Sequence, residues 1–158
     1  MSVAVICPGS FDPITLGHLD VFERASRRFD RVVIAVLGNP RKEGLFTVEE
    51  RMELITTETA HLDNIEVDRF HGLLVDFCAD RGIGIVCKGL RGGSDFEYEQ
   101  QMAQMNQRIG DLETLFVSTS PAHGYLSSSL VKEVARAGGR FEGTVPPAVE
   151  AALRARFA

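Results

Sequence analysis

A chain of 158 residues, 44% of them apolar, with 22 acidic and 17 basic side chains, has the size of one domain, since domains commonly run to roughly 100–200 residues. Its net charge of −5 excludes a sequence-independent nucleic-acid binder, which needs a surplus of Lys and Arg to displace phosphate counterions. Any anion site must therefore be a local cluster.

Short β-branched runs alternate with longer stretches of helical periodicity, which predicts a single-domain α/β fold: a five-stranded parallel sheet flanked by helices. The first strand is expected over Val3 to Cys7. Its apolar stretch is too short, and its flank too little charged, for a signal peptide, so the cytoplasm is the expected location. No later run reaches membrane-spanning length. The segment Pro8-Gly9-Ser10-Phe11-Asp12-Pro13-Ile14-Thr15-Leu16-Gly17-His18 then leads into a helix on which Leu16, Leu19, Phe22, Ala25 and Phe29 recur at helical spacing. A second strand, Arg31 to Leu37, ends in Gly38-Asn39-Pro40-Arg41-Lys42, and Thr47 with Glu50 forms a capping box opening the next helix. A strand over Ile65 to Arg69 and a helix over Leu73 to Asp80 precede the fourth strand, Ile85 to Cys87. Lys88-Gly89-Leu90-Arg91-Gly92-Gly93 follows it, then a helix over Asp95 to Ile109 and a strand over Thr114 to Ser118. Ser127-Ser128-Ser129 opens a helix over Ser128 to Ala137 that Gly138-Gly139 stops, and Pro146-Pro147 starts the last, Pro147 to Phe157. Cys7, Cys78 and Cys87 are an odd number without a C-x-x-C pair, each in or beside an apolar run, and read as reduced core thiols.

In an open parallel sheet, ligands bind outside the carboxyl ends of the strands, so the loops leaving them should carry the chemistry. Neither G-x-x-x-x-G-K-[ST] nor G-x-G-x-x-G occurs, which weakens the P-loop and dinucleotide readings. His18 instead stands in a first helical turn directly after Gly17, where free amides and the positive dipole end suit an anion. A lone histidine is more often structural than functional, but this strand-turn-helix setting reverses the preference. Lys42, Lys88 and Arg91 leave strands at the same sheet edge; with two Gly-rich turns they make a polyphosphate cradle. Ser127 to Ser129 serve as an N-cap, as phosphate donors, or as both. Glu99 and Asn106 lie two turns apart on one helix face.

Taken together, Pro8-Gly9-Ser10-Phe11-Asp12-Pro13 with Thr15-x-Gly17-His18, Lys88-Gly89-Leu90-Arg91 with Asp95-Phe96-Glu97-Tyr98-Glu99, and Ser127-Ser128-Ser129-Leu130-Val131-Lys132-Glu133 resemble the three motifs of the phosphopantetheine adenylyltransferase family within the HxGH-type nucleotidyltransferases. The resemblance extends over essentially the whole chain. It implies a Rossmann-like nucleotidyltransferase fold and transfer of AMP from ATP to 4'-phosphopantetheine, giving dephospho-coenzyme A and pyrophosphate, the penultimate step of coenzyme A synthesis. It implies ATP contacts from Ser10, Phe11, His18, Gly89, Leu90, Arg91, Glu99, His123, Gly124, Tyr125, Leu126, Ser127, Ser128 and Ser129, and acceptor binding by Ser10, Lys42, Leu74 and Lys88. His18, Lys42 and Arg91 are the expected catalytic set. Mg2+ is expected to arrive on ATP, with no metal held by the protein; coenzyme A or dephospho-coenzyme A is an expected bound product or inhibitor, and a homohexamer of two trimers the expected assembly.

Two positions depart from the widest pattern. Thr15 holds the first place of the HxGH signature, leaving His18 as its one imidazole, and Lys88 stands where many relatives carry Arg, exchanging a bidentate fork for a point charge. A phosphate acceptor, with a second pKa near about 6, is already ionised at neutral pH, so no general base is needed. The alternatives are a sister enzyme using nicotinate mononucleotide or a polyol phosphate, and a non-catalytic nucleotide-sensing module with a flavodoxin-like sheet.

Overall fold

The computed structural model describes residues 1–158, the side chain of Ser94 excepted. Five strands, β1 (Ala4–Gly9), β2 (Arg31–Leu37), β3 (Ile65–Phe70), β4 (Ile85–Leu90) and β5 (Glu113–Ser118), alternate with α1 (Leu16–Ser26), α2 (Val48–Glu58), α3 (Leu74–Arg81) and α4 (Gly93–Gly110); α5 (Ser128–Arg136) and α6 (Pro147–Phe157) close the chain. The sheet order is β3-β2-β1-β4-β5 and every pairing is parallel. This is the α/β architecture expected from the sequence, a five-stranded parallel sheet flanked by helices.

Why these runs become covered strands is visible in β2, where Val32 to Val36 are all buried. Successive side chains point to opposite faces, so Val32, Ile34 and Val36 enter one apolar layer, with Phe22 of α1, Ile55 of α2, Val131 of α5 and Leu153 of α6. Val33 and Ala35 enter the other, against Val75, Phe77 and Cys78 of α3. Each large side chain so buried contributes about 1.5–3 kcal/mol. All three cysteines are free and buried.

The boundaries differ from expectation where the residues are poor strand or helix formers. β1 runs on through Pro8 and Gly9, paired with Ala35 and Val36 of β2, while toward β4 its ladder is confined to Ile6↔Val86. Proline has no N–H to give a second neighbour, and its place at the strand end costs little. β4 likewise continues through Lys88, Gly89 and Leu90, paired with Phe116, Val117 and Ser118. Phe29 lies beyond the end of α1, its N–H still donating to the Ala25 carbonyl at 3.0 Å. No helix among the described residues is long and apolar enough to cross a membrane.

Because β1 is central and its neighbours β2 and β4 belong to different halves of the chain, the connections diverge on either side of it. That is the switch point at which an open parallel sheet leaves a crevice.

Candidate active site

A cleft of about 360 Å³ occupies this crevice, floored by Cys7 and Cys87 and walled by the turn after β1, the first turn of α1, the ends of β4 and β5 and the start of α5. Its volume is in the range of small-molecule sites, roughly 300–1,000 Å³.

Phe11 sets one wall. Its backbone takes a left-handed conformation, φ +49°, at a cost of order 1–2 kcal/mol for a residue with a side chain. Packing offsets that cost: the ring sits edge-on to both His18 and Phe22, each with centroids 5.2 Å apart. Residue 9 must be glycine for this arrangement, since a Cβ there would lie 2.7 Å from the Phe11 ring.

His18 is held by the helix that it begins. Thr15 is the N-cap of α1; its side-chain oxygen accepts from the His18 N–H at 3.4 Å, and its own N–H donates to His18 Nδ1 at 3.0 Å. This is a capping box with an imidazole in the role usually taken by Glu. With Nδ1 accepting, the proton of the neutral ring resides on Nε2. Burial, aided by the Arg91 guanidinium, lowers the His18 pKa from 6.5 to about 4, so at neutral pH the ring is an uncharged donor lining the cleft.

The cleft cations are paired, contrary to the expectation of a site dominated by positive charge. Arg91 donates through Nη1 to the Leu126 carbonyl at 2.5 Å and through Nη2 to Asp95 Oδ2 at 3.1 Å. Lys88 Nζ lies 2.5 Å from Glu99 Oε2, a close ion contact outside hydrogen-bonding geometry, since that buried oxygen has no hydrogen-bond partner. An entering phosphate must share or displace these carboxylates. Positive potential also comes from backbone: α2, α3, α4 and α6 each carry an acidic residue in the first turn, whereas α1 and α5, which open onto the cleft, carry none. At α1 the Leu16 and His18 amides already donate to Thr144 and Thr15, so what these two ends leave for an anion is the dipole together with the remaining first-turn amides.

Behind the wall lies a buried node that sequence reading missed. Asp12 accepts from the N–H groups of Leu45 and Phe46, both at 2.9 Å, and from Lys132 Nζ at 3.0 Å. Arg51 Nε stands 3.6 Å from the same carboxylate and donates to the Phe46 carbonyl at 2.8 Å, while Nη1 donates to the carbonyls of Ser10 and Leu37 at 3.1 and 3.4 Å. Burial works to raise the Asp12 pKa, but the two amides and Lys132 outweigh it and hold the carboxyl below its ordinary range. A Cβ at Gly44 would lie 2.6 Å from Arg51 Nη2 and 2.7 Å from Asp12 Oδ2, which explains a glycine there.

Of the residues read from sequence, Ser10, Phe11, His18, Lys88, Gly89, Arg91, Glu99, Leu126, Ser127, Ser128 and Ser129 face this one cleft. The structure does not bring the others to its lining. Lys42 lies in the exposed loop after β2, Leu74 packs on the apolar layer under α3, and Leu90 offers its carbonyl to Thr119 N and Oγ1, both at 3.0 Å. His123, Gly124 and Tyr125 form the loop above, with Tyr125 exposed. Gly17 meets that loop, since a Cβ on it would touch His123 at 3.6 Å. Asn106, seven positions from Glu99, is outside the cleft lining. Thr119 and Asp95 line it without having been singled out.

The His18 geometry has a measurable cost. Between pH 6.5 and about 4 the unfolded chain takes up a proton that the folded chain refuses, so stability falls as pH drops through that window. At 1.36 kcal/mol per pKa unit the loss is at most ~3 kcal/mol. Urea unfolding midpoints at about pH 7 and about pH 4.5 should fall further in the wild type than in His18→Gln; equal falls would place the imidazole in water.

Residues 6–134 match the Cytidylyltransferase-like family. Among solved structures, a Vibrio parahaemolyticus protein assigned as a nicotinate-nucleotide adenylyltransferase superposes with a TM-score of 0.65 at 16% identity, covering 98% of this chain and 99% of that one. The lipopolysaccharide core biosynthesis protein of Thermoplasma volcanium gives 0.53 at 18% identity, over 76% of this chain and 98% of its own. At these identities the likeness is one of fold.

Proposed function

The chain belongs to the cytidylyltransferase-like family, and from that premise we propose that it transfers AMP from ATP to 4'-phosphopantetheine, releasing pyrophosphate and dephospho-coenzyme A. One observation carries the reaction type: at the β1/β4 switch point a single cleft gathers a neutral imidazole donor, Lys88, Arg91 and two helix amino ends lacking acidic residues. This is a set of donors, suited to orienting anions and absorbing charge. The acceptor is supported by the three motifs around His18, Lys88 and Ser127 to Ser129.

In the proposed step an oxygen of the acceptor phosphate attacks the α-phosphorus as the bond to the α,β-bridging oxygen breaks, and pyrophosphate leaves with that electron pair. The nucleophile is ionised, so no proton need be removed. His18 donates from Nε2 to an α-phosphate oxygen, Arg91 and the amide end of α5 hold the leaving phosphates, and Lys88 takes the acceptor phosphate. Among the described residues no group of three or more His, Cys, Asp or Glu side chains is arranged to hold a cation. Mg2+ in this proposal travels on ATP, as the motif resemblance implies, and no step is routed through it. The homohexamer implied by the motif resemblance is supported by α4, which buries no side chain among its described residues and leaves Tyr98, Met102, Met105 and Ile109 exposed.

The test is pyrophosphate release from ATP with 4'-phosphopantetheine, nicotinate mononucleotide or a polyol phosphate as acceptor. Release should require the first. Preference for nicotinate mononucleotide, the kind of acceptor named for the Vibrio neighbour, would reassign the substrate; silence with all three would favour a nucleotide sensor.

A further inference from the structure

We propose that the Asp12–Lys132 ion pair is a positioning device that clamps the amino end of α5 against the turn after β1, fixing the distance between the α5 amides and His18. The argument starts from what Asp12 needs. Two amides already bond to its carboxylate and Arg51 stands beside it, so Asp12 keeps three partners when Lys132 is removed. The ammonium is a fourth cationic or dipolar partner, drawn from a different element, and it adds a link between segments 120 positions apart.

That link does not act alone. Ser128 Oγ donates to the Pro13 carbonyl at 2.7 Å, and Ser128 and Lys132 are four residues apart on α5, hence on the same helix face. Two contacts one turn apart fix both the height of a helix and its rotation about the contact line; one contact leaves it free to pivot. What they hold in place is the amino end of α5, where the N-cap Ser127 and then Ser128 and Ser129 line the same cleft as His18. A shift of about 1 Å between such groups can lower turnover roughly a hundredfold. Lys132 itself does not line the cleft, so it acts through the helix that it tethers.

This inference rests on the reading of the cleft as a nucleotide site. Lys132 is one-quarter exposed, and Lys132→Met keeps its aliphatic stem while leaving Asp12 its other partners, so the full-length variant should fold, with a melting temperature near that of the wild type. Calorimetric titration with ATP should give affinity weakened about tenfold, the scale of one charge-assisted hydrogen bond, and Lys132→Arg should recover most of it. The KM for the phosphorylated acceptor should barely move, because Lys88 stands on β4 beside Glu99 of α4 and is not carried by α5. That split separates positioning from general loosening. Wild-type ATP affinity in Lys132→Met, or equal losses for ATP and acceptor together with a collapsed melting temperature, overturns the proposal. A wild type that binds ATP yet releases no pyrophosphate refutes the enzyme while the titration still tests the pair; one that binds no ATP overturns both.

Discussion

Replacing His18 by alanine is expected to lower kcat by about 10²–10³-fold, the loss that follows removal of one preorganised donor to a developing negative charge, equivalent to ~2.7–4 kcal/mol. The ring is fixed before substrate arrives: Thr15 N–H engages Nδ1, the Phe11 ring stands against its edge, and burial keeps it uncharged to about pH 4. Nothing need reorganise as charge develops. An uncharged donor also makes a specific pH signature, since turnover should show no acid limb near pH 6.5 from this group. The variant loses one half of a helix cap, worth roughly 1 kcal/mol, and should otherwise remain folded. Initial rates of pyrophosphate release, with a melting curve alongside, check both halves. Near-normal turnover in folded His18→Ala would remove the imidazole from the reaction.

The largest stability effect is expected at a residue that touches no ligand. Arg51→Leu removes a guanidinium that serves the carbonyls of Phe46, Ser10 and Leu37 and faces the Asp12 carboxylate, with side-chain exposures of only 7% and 10% for Arg51 and Asp12. Breaking a buried pair by deleting one partner typically costs about 3–5 kcal/mol, because the groups left behind have given up water and regain nothing. For a chain of this length that lowers the melting temperature by roughly 6–20 °C. Lysine should not rescue it, as one ammonium cannot reproduce a fork directed at several oxygens. Thermal denaturation of Arg51→Leu and Arg51→Lys checks both statements; a fall of under about 1 kcal/mol would mean that water replaces the guanidinium.

The contrast between these two positions explains how much was legible in the amino-acid order. The place of His18 in the cleft is legible because its neighbours in sequence are its neighbours in space: strand, turn and helix start lie within eighteen residues, and the capping box Thr15-x-x-His18 is itself a local pattern, with His where Glu is usual. The strands were legible because period-two burial on both faces leaves continuous apolar runs such as Val32 to Val36. Their carboxyl ends were not, since Pro8-Gly9 and Lys88-Gly89 look like loop while the sheet still pairs them. Nothing in the residues next to Arg51 on α2 marks it as buried. Its burial is decided by Ser10, Leu37 and Asp12, and Lys132 is likewise defined by a partner far away in the chain. The pairing of Lys88 with Glu99 and of Arg91 with Asp95 was half visible: the residues were in view, and their mutual neutralisation depends on how α4 leaves β4.

The cleft draws its walls from residues 9 to 18, 87 to 99 and 119 to 129, and the first strand synthesised becomes the middle of the sheet only when β4 has joined it. A nascent chain therefore cannot complete this lining until residue 129 has emerged.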